Sequence, residues 1–170
     1  MFSALAAAVA TYYVAAIIQT LGHRLYGHAG RIRAIYVAHT HGHHGAYPRT
    51  ALLQATWLKP RAHALWYYAT PLALIGLLVW WLAPLLILFA YLGGLAFAIA
   101  VHVWLHRQYH LRGSVLERFG WFRRKRELHF IHHRQVRSNY AIVEFWLDQL
   151  MRTYRSPRSR PRGAGPEPGG

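Results

Sequence analysis

The fold is decided by residues 62–106, which read AHALWYYATPLALIGLLVWWLAPLLILFAYLGGLAFAIAVHVWLH. This run contains no Asp, Glu, Lys or Arg. It is long enough for two helices across a bilayer, because a hydrocarbon core of about 30 Å needs about 20 apolar residues per helix. Ala83-Pro84 lies near its midpoint and is the expected break, since proline cannot continue a helical hydrogen-bond ladder. We therefore predict one spanning helix at 64–82 and another at 85–105.

A further apolar stretch opens the chain. Residues 1–23 carry no charged side chain, and 3–21 are long enough for one more span. The stretch lacks the positive amino-terminal region of a cleaved signal peptide, so we expect it to be retained. The predicted fold class is an all-α integral membrane protein with about three transmembrane helices and a cytoplasmic helical cap. We expect one membrane-embedded domain at 1–155 and a disordered Pro/Gly/Arg-rich tail at 156–170.

The charges of this chain are mostly basic and unevenly placed. Lys and Arg number 20 against five Asp and Glu, which gives a formal net charge of +15. All the basic residues lie in 22–63 and 106–170, and three spans would put both segments on one side of the membrane. By the positive-inside rule that side is cytoplasmic. We expect the basic residues to contact anionic lipid headgroups, each contact contributing about 1 kcal/mol, and we expect no nucleic-acid partner because no recognition motif accompanies them.

Histidine is the residue type that points to chemistry. The chain has 13 histidines and no cysteine, which excludes disulfides, Cys-ligated zinc and thiolate iron–sulfur clusters. Four groups of histidines lie at the predicted cytoplasmic ends of the spans. They are His23 and His28; His39, His41, His43 and His44; His102, His106 and His110; and His129, His132 and His133. Residues three or four apart share one face of a helix, so each group can present several imidazoles together.

The four histidine groups together predict a metal centre. A hairpin of the second and third spans would return the later groups to the depth of the earlier ones, so that all four can converge on one pocket. Neutral imidazole suits Fe, Zn, Cu and Ni, and about ten histidines exceed what a single ion binds, which favours two ions. His41 is a weaker candidate, and His63, which stands alone before the second span, is expected not to be a ligand.

These groups resemble the histidine boxes of the fatty acid hydroxylase / sterol desaturase superfamily of membrane di-iron oxygenases. That family is marked by His-x4-His, His-x2–3-His-His, His-x3-His and a final His-x2-His-His, in the order found here. The stretch after the last box, with Asn139-Tyr140, Trp146, Asp148 and Thr153, is similar to the family's Asn-Tyr-Gly and Trp-Asp-x-x-Phe-Gly-Thr ending. The resemblance covers about residues 15–155, and its strength lies in four ordered motifs with apolar spans between them.

The chain departs from the family pattern in four respects. The second box has an extra histidine and the longer spacing. Ala141 stands where the family often has Gly, and Met151-Arg152 replace Phe-Gly. Many members have four spans, whereas three are predicted here. Bacterial carotenoid hydroxylases are also similar in length and span number, but the ending fits the fatty acid hydroxylase branch better.

The resemblance implies what the chain binds and does. The boxes, with the histidine one turn beyond the third box, give the predicted metal ligands His23, His28, His39, His43, His44, His102, His106, His110, His129, His132 and His133. They would hold two iron ions, for which zinc can substitute, with dioxygen (O2) as co-substrate and no catalytic residue beyond the ligands. The implied reaction is hydroxylation or desaturation of a C–H bond in a fatty acyl, sterol-like or carotenoid lipid that comes from the bilayer. A separate reductase or electron-transfer protein would be the external electron donor.

Two of the acidic residues that follow the last box, Glu144 and Asp148, are candidates to support the ligands. Carboxylates commonly orient ligating imidazoles. Glu144 and Asp148 lie four apart on a helix predicted at 142–151, and we expect them to hydrogen-bond to ligand histidines or to the basic segments. Pairing of Asp148 with an arginine is an equal alternative. Asn139 could be a metal ligand or could orient one, but a loop turn is the more expected role.

Two other function classes fit parts of the sequence. A metal transporter or sensor could use the histidines for Zn or Ni, but transport favours ionisable residues at membrane mid-depth, and these histidines lie at span ends. A basic membrane-surface scaffold without catalysis would fit the charge, but it would not need histidines at these spacings.

Overall fold

The computed structural model describes residues 2–58 and 66–157, and within them it contains helices and turns but no strand. The helices are α1 (Phe2–Gly22), α2 (Arg33–Val37), α3 (His44–Ala46), α4 (Trp66–Leu82), α5 (Leu85–His110), α6 (Gly120–Arg134) and α7 (Trp146–Leu150). The other helical segments are two π-helical turns, His23–His28 and Ala38–His43, and a 3₁₀ turn, Val115–Arg118. The all-α prediction is confirmed for the described residues. His63 and the predicted tail from 158 onward lie outside them.

Helices α1 and α5 form the central packed pair of the fold. Helix α1 with its π turn (Phe2–His28) and α5 (Leu85–His110) are each long and apolar enough to cross a membrane. The two helices pack against each other so closely that a Cβ at Gly94 would collide with the backbone carbonyl of Ala8. Glycine at this position therefore permits an approach that any side chain would prevent.

Helix α4 packs beside this pair and is shorter. Its 17 residues rise about 26 Å, and the apolar part that the structure describes does not reach the length of a full span. The predicted break is confirmed, since α4 ends at Leu82 and α5 begins at Leu85. The Tyr91 hydroxyl donates to the Leu72 carbonyl and ties α5 to α4. Three spans stay a prediction, because only two helices in the described residues are long and apolar enough to cross a membrane.

The outer faces of α1, α4 and α5 are apolar. Large side chains that stand exposed there include Val9, Leu77, Trp81, Phe89 and Phe97. Soluble monomers rarely expose contiguous apolar patches of more than a few hundred Å². An apolar environment around these helices, as a bilayer would provide, accounts for this surface.

Helix α6 covers one end of the α1–α5 pair. Its buried face packs Phe122 against Leu105 and Tyr109 of α5, and the Tyr109 hydroxyl donates to the Ile142 carbonyl at 2.9 Å. Its opposite face is basic. That face carries the exposed Arg123 and Arg124. Arg126 lies one turn from Phe122, over its ring, and pairs with Glu117 at 2.7 Å. The helix is thus amphipathic, and its buried side carries the last histidine group toward the interior.

The segment after α6 differs from the prediction. The helix expected at 142–151 is only Trp146–Leu150, and Glu144 lies before its first residue. The segment before it is held by side chains: the Tyr140 and Ala141 amides donate to the Asp148 carboxylate, and the Asn139 side-chain amide donates to the Leu128 carbonyl. Glu144 and Asp148 therefore do not share a helical face.

Candidate metal centre

The two π turns explain how histidines five residues apart come together. On an α-helix, residues five apart point about 140° away from each other, because each residue turns the helix by about 100°. A π turn closes its hydrogen bond on the fifth residue, so such residues lie one above the other. The first π turn does this for His23 and His28, and the second brings His39 to the side of His44. Sequence reasoning from α-helical periodicity gave His39 and His44 a wider arc.

One group of imidazoles gathers around the two π turns. It comprises His23, His28, His39, His44 and His132, whose candidate ligand nitrogens all lie within 4.8 Å of one another. The Nε2 atoms of His23 and His39 are 2.8 Å apart, those of His28 and His132 are 3.0 Å apart, and those of His39 and His44 are 3.1 Å apart. Five ring nitrogens therefore face a common centre.

A second group lies beside the first and draws mainly on α5 and α6. It comprises His43, His110, His129 and His133. The Nε2 atoms of His43 and His133 are 3.1 Å apart, and those of His110 and His129 are 2.9 Å apart. His106 adjoins this group, with its Nε2 atom 3.1 Å from that of His43.

The two groups share elements of the chain. His43 and His44 are consecutive, yet they belong to different groups. The same is true of His132 and His133. The rings of His44 and His133 lie 4.2 Å apart between centroids. Two ions held by these groups would therefore be neighbours in one centre, as the sequence predicted for a dimetal site.

The outer ring nitrogens are held by backbone carbonyls. The Nδ1 atom of His132 lies 2.8 Å from the Ser138 carbonyl oxygen, and that of His23 lies 2.5 Å from the Tyr140 carbonyl oxygen. In the second group, Nδ1 of His110 meets the Leu52 carbonyl and Nδ1 of His133 meets the Tyr47 carbonyl. Because a carbonyl only accepts hydrogen bonds, each Nδ1 must carry the proton. The inward Nε2 atom is then an unprotonated lone pair, the form that binds a metal.

The contacts among three of the rings favour a metal site over a hydrogen-bonded cluster. The Nε2 atoms of His23, His28 and His39 lie 2.8–3.2 Å from one another. Whichever of these Nε2 atoms carries a proton, at least one of the three contacts joins two lone pairs or two N–H groups, which repel each other. A cation between them removes the repulsion. With metal–nitrogen bonds of about 2.1 Å, neighbouring ligands at 90° would be about 3.0 Å apart and at a tetrahedral angle about 3.4 Å apart. Separations of 2.8–3.2 Å are therefore close to those that the ligands of one ion take.

Burial keeps these imidazoles neutral. Desolvation, followed by the charge of neighbouring histidines, lowers the pKa of His44 to about 3. The same two causes hold the pKa of His39, His43, His129 and His132 well below the ordinary value. At neutral pH these rings are therefore uncharged and available as ligands without losing a proton.

Two predicted or considered histidines lie outside the groups. His102 is one turn above His106 on α5, with ring centroids 6.0 Å apart, and it lines a cleft rather than either group. A straight helix rises about 6 Å over four residues, so His102 and His110 are about 12 Å apart along the axis and cannot serve one ion. His41, the weaker candidate, is exposed to solvent and belongs to neither group.

Asp148 supports the centre indirectly. Its Oδ1 accepts from the Tyr140 amide at 2.7 Å and from the Thr153 hydroxyl at 2.7 Å, and its Oδ2 accepts from the Ala141 amide at 2.9 Å. It contacts no histidine ring, and no arginine pairs with it in the described residues. Burial raises the pKa of this carboxyl above its usual range. Asp148 thus fixes the loop whose carbonyls orient His23 and His132.

Asn139 and Glu144 also lie away from the imidazoles. Asn139 has a φ of 51°; its amide donates to the carbonyls of Leu128 and Arg155, so it forms a turn that anchors the same loop. Glu144 accepts from the Tyr12 hydroxyl and from the Trp146 indole. In the part of the chain that the structure describes, no ligand histidine hydrogen-bonds to either acid, and backbone carbonyls accept from the Nδ1 atoms instead.

Sequence reasoning missed the groups that orient the ligands. The acceptors are backbone carbonyls, which every residue has, so no side-chain pattern could indicate them. Tyr47 was also missed; it is almost fully buried, and its ring stacks on His110 at 3.9 Å between centroids. The Nδ1 atoms of His43 and His129 are buried and have no partner among the described residues.

Comparisons of this chain with protein-family models, with curated proteins and with solved structures gave no match.

Proposed function

We propose that this chain is a membrane-bound lipid oxidoreductase that uses two iron ions and dioxygen, as its resemblance to the fatty acid hydroxylase / sterol desaturase superfamily implies. The observation that carries the proposal is the pair of imidazole groups whose Nε2 atoms face one another, with backbone carbonyls placed to accept from Nδ1 of four of the rings. This arrangement presents lone pairs to two neighbouring cations. The donors are neutral nitrogens without thiolate, which suits iron, copper, nickel or zinc.

The residues divide between the two ions. His23, His28, His39, His44 and His132 would hold one, and His43, His106, His110, His129 and His133 would hold the other. An iron pair bound there would supply dioxygen activation and oxidation of an unactivated C–H bond, so that the lipid is hydroxylated or desaturated. Zinc would fit the same donors, but it carries no redox chemistry.

The protein's own part is to orient the ligands and to exclude water. The Ser138 and Tyr140 carbonyls hold two rings of the first group in one tautomer and one orientation. Tyr47 covers the second group from the side and leaves almost no solvent access to His110. A dry site prevents reactive species from being quenched by water.

The proposed placement is multi-pass in the membrane, with α1, α4 and α5 as three spans and the histidine centre at the cytoplasmic surface. The positive-inside rule gives that orientation. The exposed face of α6, with Arg123 and Arg124, would lie against anionic headgroups. Trp121 is half exposed on the same helix and suits the interface between lipid and water.

An electron donor must come from outside the chain. The sequence has no cysteine for an iron–sulfur cluster and no flavin fingerprint. A separate reductase or electron-transfer protein is therefore part of the proposal, and the lipid substrate reaches the centre from the bilayer.

The metal content of the detergent-purified protein tests the proposal. We expect about two irons per chain after expression in iron-replete cells, measured by plasma mass spectrometry. The double variant His132→Ala, His133→Ala removes one ligand from each group and should lose most of the iron. His41→Ala is the matched control, since His41 is an exposed histidine outside both groups, and it should keep the parental content.

Oxidation of the lipids is then assayed with isotope-labelled dioxygen. Lipids extracted from cells that express the parent should carry an added labelled oxygen or a new double bond, and those from the double variant should not. A protein that binds no transition metal, even after anaerobic Fe(II) reconstitution, would contradict the catalytic proposal.

A further inference from the structure

A cleft between α1, α4 and α5 leads toward the histidine centre. Its α1 wall carries Tyr12, Ala15 and Gln19, which lie on the helical face that ends at His23. Its α5 wall carries Ala98 and His102, on the face that continues to His106. The cleft therefore ends one helical turn from both metal-binding groups, about 6 Å along either helix.

Gln19 is a polar side chain of this cleft without a hydrogen-bond partner in the described residues. It is 8% exposed, and no residue in 2–58 or 66–157 hydrogen-bonds to its amide. The His102 ring, which also lines the cleft, lies against the rings of Tyr68 and His106. Two other polar side chains of the wall are hydrogen-bonded. The Thr20 hydroxyl donates to the Ala16 carbonyl, and the Tyr12 hydroxyl donates to Glu144. The Gln19 amide is open to the cleft and is not sealed in the protein. An apolar group that entered would remove water from this amide and leave it unpaired, at a cost of about 1–3 kcal/mol.

An amide selects among lipids by hydrogen bonding. Its carbonyl accepts and its NH2 donates, so a hydroxyl, which also does both, is the small group that matches it best. A plain hydrocarbon would leave the amide unpaired. The cleft has a cavity volume of about 30 Å³, which is enough for about two waters or one small polar group. Ile99 at its edge is 43% exposed, so an apolar chain can continue outward there.

We propose that Gln19 binds a hydroxyl of the lipid substrate, so that the chain takes lipid alcohols in preference to hydrocarbons of the same length. This rests on the proposed function, since the cleft can hold a substrate only if the adjoining histidine centre oxidises lipids. It narrows the substrate class that the histidine motifs leave open. Gln19 is a specificity-determining residue that acts beside the metal ligands and does not bind the metal.

Photolabelling tests this without turnover. The probe is a long-chain primary alcohol with a diazirine and an alkyne, and its counterpart is the same chain without the hydroxyl. Both are added to the purified full chain in detergent, and labelled peptides are mapped by mass spectrometry. In the parent we expect labelling of the α1 and α5 peptides that line the cleft. We expect hexadecanol to compete at about tenfold lower concentration than hexadecane, as one hydrogen bond to a buried amide predicts.

Variants separate Gln19 from general lipid partition. Gln19→Leu should abolish the preference for the alcohol while hydrocarbon labelling persists. Gln149→Leu changes an exposed glutamine on α7 and should keep the preference. Helix content and iron content establish that each variant is folded. Equal competition by alcohol and hydrocarbon in the parent would overturn the proposal, and so would an unchanged preference in Gln19→Leu, which would mean that Gln19 is satisfied by water.

The two proposals fail in different ways. Absence of iron leaves the photolabelling readable, because labelling needs no metal. Absence of a hydroxyl preference leaves the iron content and the lipid oxidation unaffected. If Gln19→Leu does not fold, the comparison of alcohol and hydrocarbon in the parent decides by itself.

Discussion

At the scale of single residues, the chemistry depends on which nitrogen of each ring carries the proton. Carbonyls at Tyr47, Leu52, Ser138 and Tyr140 accept from Nδ1 and leave Nε2 free. Such outer partners orient the ring and raise its basicity as a ligand. Of the two carboxylates expected in this role, only Asp148 acts on the centre, and it does so indirectly, by holding the loop that provides two of these carbonyls.

Asp148→Asn tests that indirect support. An asparagine keeps one acceptor but turns an NH2 toward a backbone amide that needs an acceptor, so the loop at 138–141 should loosen. We expect the iron affinity to fall about 10-fold or more and the free energy of unfolding to fall by about 2 kcal/mol. Metal titration and thermal unfolding measure the two effects. Glu127→Gln, which breaks an exposed pair with Arg134, is the control. An unchanged iron affinity in Asp148→Asn would remove Asp148 from the support of the centre.

At the scale of elements, the π turns are the decisive feature. They turn a spacing of five into a shared face, and they do so twice, at His23–His28 and at Ala38–His43. Each turn contains a glycine. Gly27 lies against the rings, since a Cβ there would be 3.1 Å from His23 and 3.3 Å from His39, whereas a Cβ at Gly42 would meet nothing within 4 Å. The first π turn is therefore packed directly against the ligands.

Gly27→Ala should weaken metal binding without weakening the helix. Alanine stabilises a helical position by about 1 kcal/mol relative to glycine. Its methyl group would nevertheless push the rings of His23 and His39 by a few tenths of an ångström, and neither ring has free space. We expect iron affinity to fall about tenfold while the unfolding temperature of the metal-free protein stays level or rises. Gly42→Ala should leave iron affinity unchanged. Equal affinities in both variants would show that the turn tolerates the shift.

At the scale of the whole molecule, burial of so many histidines links stability to pH. An unfolded histidine titrates near pH 6.5, whereas burial lowers the pKa of His44 to about 3 and that of His132 well below the ordinary value. Between these values the unfolded chain binds more protons than the folded chain. The free energy of unfolding therefore decreases as pH falls below about 6.5.

Acid should destabilise the metal-free protein and release the metal from the loaded one. Chemical unfolding followed by circular dichroism at about pH 7.5 and about pH 5 gives the first effect, and we expect a loss of several kcal/mol because several groups contribute about 1.4 kcal/mol per pH unit each. His41→Ala, at an exposed histidine outside both groups, is the control variant. A flat stability between these pH values would mean that the rings are not buried in the metal-free state.

The apolar runs and the proline between two of them determined the helical class, two of the long helices and the break between Leu82 and Leu85. The histidine motifs indicated the metal centre, and nine of the predicted ligands fall into its two groups. These features are local, because length, hydropathy and spacing are properties of a segment. The cytoplasmic orientation and the oxidation of a lipid stay predictions.

Only the tertiary structure decided how the histidines divide. Spacing fixes the face of a helix on which a residue lies, but it does not fix which elements meet, so the sequence could not separate His43 from His44 or His132 from His133. It could not exclude His102 from both groups, because the spacing of residues on α5 does not show which turn of that helix lies level with the centre. The carbonyl acceptors and the unpaired Gln19 amide were also hidden, since both arise from contacts between segments that are distant along the chain.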